Sequence, residues 1–212
     1  MPTSAGPSTA RTSETRTARS RRTRTALVTA VRDELRVRGE FTASAVAARA
    51  GCSEATFYSH FGSKDDALAA AFVQTLDDLV DQSIAGLTPD RVAADGLPAT
   101  VVRFVDQQAD FFGVESLVFR AALSRLPSHR PLRDAYRAAE ERTLEHLEAL
   151  FTELDRRGIL TVDAPARLAE SFLVASQGIN NPRALRRNAT DIRRSLAIAL
   201  TAMLVEPGGC HD

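Results

Sequence analysis

Residues 42–61 read TASAVAARAGCSEATFYSHF. Val46 and Ala47 lead to a glycine, a serine follows, and Phe57, Tyr58, His60 and Phe61 then crowd into five residues. Aromatics make up only 6% of the chain, so the cluster calls for a reason. Thr42 is placed to cap one helix, Gly51 to end it near Ala50, and Ser53 to cap the next. Helix, short glycine turn, helix is the arrangement that sets a second helix into the major groove of DNA.

That reading requires the second helix to have one core face and one groove face. Successive helical residues turn by about 100°, so with Phe57 at zero, Phe61 falls at about 40°. The two rings share a face and are expected to pack inward against Val46 and the preceding helix. Ala55 at about 160° and Ser59 at about 200° point directly away, flanked by Thr56 and Tyr58. A merely solvated face more often carries Lys and Glu; a small, hydroxylated face suits close approach to DNA.

Working outward, the chain reads as helix after helix, with Ala, Leu, Arg and Glu dominant and no strand-like alternation. A first helix from about Arg22 carries Ala26, Leu27, Ala30, Val31, Leu35 and Val37 and stops near Gly39. Ser63-Lys64-Asp65-Asp66 resembles a capping box, with Asp at the reciprocal position, opening a fourth helix to about Ile84. After a loop from Gly86 to Gly96, Pro98 to Phe112 and Leu117 to Leu126 read as two further helices. Pro131 opens a long helix to Gly158, with Leu132, Tyr136, Ala139, Leu147, Leu150, Phe151 and Leu154 at helical spacing. Asp163 is placed to cap the next, with Pro165 in its first turn and Leu168, Phe172, Ala175 and Ile179 on a stripe. The last runs from about Thr190 to Val205, with Ile192, Leu196, Ala199, Leu200 and Met203. The expected fold is all-α, about nine helices in total. An N-terminal three-helix helix-turn-helix DNA-binding domain (21–66) precedes a larger helical bundle for ligand binding and dimerisation (67–206). Residues 1–20 and 207–212 are expected to be disordered tails, the first basic.

Net charge is zero over 212 residues, but it is unevenly placed. Residues 1–60 hold ten arginines against five acidic residues, and residues 61–212 hold 17 basic against 22 acidic. A front of +5 and a rear of −5 suit a protein whose front alone meets a polyanion. The arginines at 11, 16, 19, 21, 22 and 24 could form an arm on phosphates or in a minor groove, or simply solvate the tail.

Thr42 to Ala47, Ala50 to Ser53, Ala55 to Phe61 and Ser63-Lys64 together resemble the N-terminal DNA-binding domain of TetR-type transcriptional regulators, over about Thr25 to Phe72. The resemblance implies a DNA-contact set of Thr42, Ser44, Ser53, Glu54, Ala55, Thr56, Tyr58, Ser59, His60 and Lys64. Glu54, Ala55, Thr56 and Ser59 would face base edges or the flanking sugar-phosphate. Tyr58, His60 and Lys64, the one lysine of the chain, would donate to phosphates. Thr42 and Ser44 would touch the opposite groove wall. Two positions depart from the family pattern. Glu54 stands where a basic or neutral residue is common, and either accepts from a cytosine amino group or turns to pair with Arg49. Cys52 replaces an aliphatic residue of the turn, where it fits as a small buried hydrophobe.

One recognition helix reads only a few base pairs, so a homodimer on a palindromic operator is expected. The family resemblance places the dimer interface on the last two helices, at Leu168, Phe172, Ala175, Ile179, Ile192, Leu196, Ala199 and Met203. Phe104, Gln108, Phe111, Phe112, Phe119, Tyr136, Phe151 and Phe172 are the candidate pocket for a largely apolar small-molecule effector; the same rings could fill a dry core. Gln107, Asp110 and Gln177 are further candidates to orient a ligand, while His129 and His146 read as surface residues. The function implied is a sequence-specific regulator, a repressor released from its operator by the effector. The alternative is a constitutive dimeric DNA-binding or architectural protein without one.

Other classes find little support. There is no nucleophile elbow, phosphate-cradling glycine loop or metal-spaced histidine set, so neither an enzyme nor a cofactor is expected. Cys52 and Cys210 make no disulfide framework, and the Cys210-His211 pair lacks a ligand set around it. The opening MPTSAGPSTARTSET carries no apolar stretch, and no apolar run approaches a membrane span, so a cytoplasmic protein is expected.

Overall fold

The computed structural model describes residues 8–205, which form helices and turns with no strand among them. In chain order they are α1 (Ser8–Arg38), α2 (Ala43–Arg49), α3 (Glu54–His60), α4 (Lys64–Gly86), α5 (Pro89–Asp95), α6 (Leu97–Leu123), α7 (Arg130–Arg156), α8 (Pro165–Ser176), a 3-10 turn (Gln177–Asn180) and α9 (Thr190–Val205). Cys210, His211 and the tail from 207 lie outside the described residues, as do the side chains of Arg11 and Arg16.

The head is built from α1 to α3, and each boundary has a local cause. Thr42 accepts from the Ala45 amide at 3.1 Å, which starts α2. Gly51 ends it with φ of +67°, while its amide and that of Cys52 donate to Ala48 and Ala47 carbonyls at 3.2 and 2.9 Å. That bond pair is a Schellman closure, and it needs a left-handed residue at Gly51. Nothing lies within 4 Å of where a Cβ would stand, so backbone conformation rather than crowding favours glycine there. Ser53 accepts from the Thr56 amide at 3.2 Å and starts α3. Ser63 caps α4 through the Asp66 amide at 3.1 Å and donates to the Asp66 carboxylate at 2.8 Å. Asp66 thus answers the cap's hydroxyl.

Leu27, Ala30, Val31 and Leu35 of α1, Val46 of α2 and Phe57 and Phe61 of α3 form one buried core that continues along α4 to Val118, Phe119 and Leu132. A second core joins α5 to α9 around Phe104, Phe151, Phe172 and Leu200. Phe112 packs against both.

Several expectations are corrected. The first helix reaches back to Ser8, where a disordered tail through residue 20 was expected. With α1 nucleated by its buried residues, continuation needs only one backbone bond per added residue. Thr23 and Thr25 also donate to carbonyls four residues back. Ala26 and Val37 are exposed, because they lie about 140° and 120° from Val31, the middle of the inward line of Leu27, Val31 and Leu35. The segment 86–96 is not all loop: Thr88 caps α5, Pro89 opens it and Val92 is buried. Residues 97–123 are one helix instead of two. No break falls between Phe112 and Leu117, because Glu115 is buried against α1 and anchors the helix there. Missing α5 and dividing α6 cancel, so the count of nine α-helices holds among the described residues. Asp163 does not cap α8, whose N-cap is Ala164 without a side-chain bond.

Candidate nucleic-acid interface

α3 carries the two faces its spacing predicts. Phe57 is fully buried, edge-on to Tyr58 and tilted against Phe41 and Phe61 with centroids 5.1, 6.5 and 5.3 Å away. Ala55 and Ser59 are exposed on the far side, Tyr58 is half exposed, and Thr56 and His60 are half-buried. Two hydroxyls on this face already have local duties. Ser53 and Thr56 share a bond of 2.9 Å, and Ser59 donates to the Thr56 carbonyl at 2.7 Å. Each oxygen keeps acceptor capacity toward a donor on a base edge.

Around this helix the candidates fall at the ends of neighbouring elements. Thr42 and Ser44 are exposed at the start of α2, and Lys64 is exposed in the first turn of α4. The Lys64 ammonium lies 5.2 Å from the Phe41 ring centroid, and the Arg24 guanidinium 4.7 Å from that of Phe61. These contacts hold both cations at the head without using their hydrogen-bond donors. Glu54 does not pair with Arg49. That arginine donates to Glu34 at 2.9 and 2.7 Å, so Glu54 stays exposed with no ion pair among the described residues. Cys52 is half-buried against the head core.

A charged joint fastens the head to the body. Arg32 and Arg36 of α1 converge on one oxygen of Glu115 in α6, Arg32 through Nε and Nη2 at 3.1 and 2.7 Å. Arg36 adds Nε at 3.0 Å and a short Nη2 contact, and Arg32 Nη1 also meets Asp78 of α4. Burial pushes the Glu115 carboxyl up, but the hydrogen bonds from Arg36 and Arg32 outweigh it and hold the group below its ordinary value. Spacing gave no sign of this cluster; the two arginines on one α1 face were its only trace.

Beyond the joint, α4, α6, α7 and α8 enclose a cavity of about 290 Å³. Of the expected pocket residues, Phe104, Gln108, Phe112, Phe119 and Tyr136 line it. Phe151 and Phe172 are buried in the second core instead, and Phe111 packs against the first. Gln177 lines the cavity, whereas Gln107 does not and Asp110 pairs with Arg193 at 2.9 Å. Leu76, Leu79, Glu140, Thr143, Leu173, Ser176 and Asn180 are lining residues the sequence did not single out. His129 and His146 are half-buried rather than surface residues; they face Asp66 at 3.5 Å and the Leu87 carbonyl at 2.9 Å.

Of the expected dimer residues, Phe172 on α8 and Ile179 in the 3-10 turn after it belong to the chain's own core and not to an outer face. Leu168, Ala175, Leu196 and Met203 are half-buried, while Ile192 and Ala199 are exposed. Val174, Ile198 and Val205 are exposed apolar residues that the expected stripe omitted.

Capped α2, the left-handed Gly51 and capped α3 with its exposed outer face together make a helix-turn-helix, the class of element that docks on DNA. The family model of bacterial regulatory proteins, tetR family, matches residues 39–71, from the end of α1 into α4. A protein from Mesorhizobium loti described as a TetR-family transcriptional regulator shares 17% identity over 86% of this chain and 95% of its own, with TM-score 0.70. A TetR transcription regulator from Haloarcula marismortui shares 23% over 87% and 98%, at 0.67. A transcriptional regulator from Rhodococcus shares 18% over 85% and 95%, at 0.65. No curated protein matches the sequence significantly. Residues 39–71 thus match the model of that family, and the described residues have the fold of those solved regulators.

Proposed function

We propose that the protein is a homodimeric repressor that binds a palindromic operator through Thr42 to Lys64 of each subunit and leaves it when a small molecule enters the body. The carrying observation is the outward face of α3, where Ala55 and Ser59 stand exposed opposite the fully buried Phe57. Small residues let the helix backbone approach base edges. Tyr58, His60 and Lys64 would fix the register on phosphates. The exposed apolar residues Val174, Ile192 and Ala199 on α8 and α9 support a two-fold contact between copies.

The cavity favours the sensor reading over a constitutive DNA-binding protein. Its lining comes from α4, which continues directly from the head, and from α6, which Glu115 ties to α1. A molecule that shifts either helix would change the separation of the two recognition helices. No helix of the described residues is long and apolar enough to cross a membrane.

Selecting bound sequences from random double-stranded DNA with the purified full chain tests the reading. The expected result is an inverted repeat with half-sites about 34–36 Å apart, or a multiple of that. Enrichment of a single unrepeated site, or of no sequence, would remove the dimeric operator. Exchanging Ala55 or Ser59 for a larger residue should then change which half-site is preferred.

A further inference from the structure

Resting on the sensor reading, we infer that the cavity takes a cation: a compact apolar body carrying a protonated amine, with the ammonium seated at Glu140 and Tyr136. Glu140 is the one charged residue lining the cavity, and among the described residues it makes no ion pair. No arginine, lysine or histidine lines the space. Glu140 and Tyr136 also line an adjoining surface depression with Leu126, Pro127, Arg133 and Arg137, so they stand at the mouth. Arg133 there donates to the Leu126 and Pro127 carbonyls at 2.8 and 3.1 Å, and Arg137 is exposed without an ion pair among the described residues.

The hydrogen-bond inventory points the same way. Both aliphatic hydroxyls on the lining give their protons to backbone carbonyls. Thr143 donates to the Ala139 carbonyl at 2.9 Å and Ser176 to the Leu173 carbonyl at 2.7 Å. The Tyr136 hydroxyl is pushed up by burial and by the neighbouring Glu140 carboxylate, which places the two groups together at the mouth. The buried Gln108 amide donates to Ser83 at 2.9 Å and leaves its carbonyl oxygen without a donor. The Gln177 and Asn180 amides add donors as well as acceptors, but the one charge on the lining is negative. A ligand that covered Glu140 without neutralising it would bury an unpaired carboxylate, which opposes neutral and anionic molecules. A protonated amine supplies both the charge and the donors.

Three probes with one butylphenyl body separate the possibilities: 4-butylbenzylamine, 4-butylbenzyl alcohol and 4-butylbenzoate. Binding to the full chain is measured by calorimetry, and by the rise in melting temperature that ligation imposes through mass action. The amine should bind about tenfold or more tightly than the alcohol, the size of a hydrogen bond to a charged group, and the benzoate most weakly. In Glu140→Gln the preference for the amine over the alcohol should vanish. Equal binding of all three probes, or a preference for the benzoate, overturns the cationic class and leaves the sensor reading intact. Binding of none of them to the wild-type chain overturns both. The wild-type comparison stands even if the variant folds poorly.

Discussion

The head and the body pack the same kinds of residue to different ends. Around α3, Phe57, Phe61, Val46 and Leu27 close completely, so the recognition helix has one seat. In the body, Phe104, Phe112 and Phe119 stand around open space of about 290 Å³. A reader of DNA must hold a contact face to within a fraction of an ångström, and dense packing does that. If the body is the sensor we propose, it needs room for a ligand, and the open space among α4, α6, α7 and α8 supplies it. Between them sits a joint of neither kind, the cluster of Arg32, Arg36, Glu115 and Asp78, whose strength depends on charge rather than volume.

Phe57→Ala breaks the contrast most severely. Removing the fully buried ring should cost about 3–5 kcal/mol and free α3 from its seat. Thermal denaturation should show the loss, and binding to any DNA should vanish with it. A variant that bound DNA normally would mean that α3 is held by something other than its aromatic face.

Glu115→Gln attacks the joint. Two arginines would lose their shared anion, one of them nearly buried, for a cost of about 2–4 kcal/mol. The pH dependence carries the sign. A carboxyl held below its ordinary 4.5 stabilises the fold above that value, and the contribution is lost as pH falls through the lowered one. Wild-type melting temperature should therefore fall as the medium is acidified below about 4.5, and the variant should start lower and lack that component of the fall. Parallel curves for the two proteins would remove Glu115 from the acid response.

Head, joint and body also differ in how plainly the chain states them. α2 and α3 are encoded within twenty residues: a threonine cap, a left-handed glycine, a serine cap and two phenylalanines four apart. Every one of those signals acts over a single turn, so the sequence displays it directly. Glu115 has partners 79 and 83 residues away; read locally it is a charge that interrupts an apolar helix, and α6 was divided there. The pocket was half legible for a related reason. Helical spacing tells which residues face inward, but Phe104 and Phe172 both do, and only the crossing of α4, α6, α7 and α8 decides which meets the cavity. Glu140 and Thr143 went unseen because a polar residue on a helix reads as solvated until the neighbouring helix is placed.

Lys64→Ala sharpens the contrast on the DNA side with a smaller effect. If its ammonium meets a phosphate, the variant should bind all sequences about equally less well, and the salt dependence of log K should flatten by about 0.9 per subunit, about 1.8 for the dimer. Its place over the Phe41 ring is worth about 0.5–1 kcal/mol at an exposed site, so stability should barely change. An unchanged salt slope would restrict the lysine to that ring contact.

Glu54 gives the finest division, between positioning and reading within α3 itself. Arg49 is taken by Glu34, so the Glu54 carboxylate is exposed at the start of α3 with no ion pair among the described residues. Glu54→Gln removes its repulsion from phosphates while keeping its shape. If Glu54 only bears that repulsion, the variant should bind every sequence slightly more tightly. If it accepts from a cytosine amino group, the variant should gain on random DNA yet lose about 1–3 kcal/mol of discrimination at one operator base pair. Repeating the sequence selection with the variant distinguishes the two, because only the second outcome relaxes a single column of the half-site. Glu54 also stands in the first turn of α3, where a carboxylate favours the helix dipole, so only a change confined to one column of the half-site assigns it to reading.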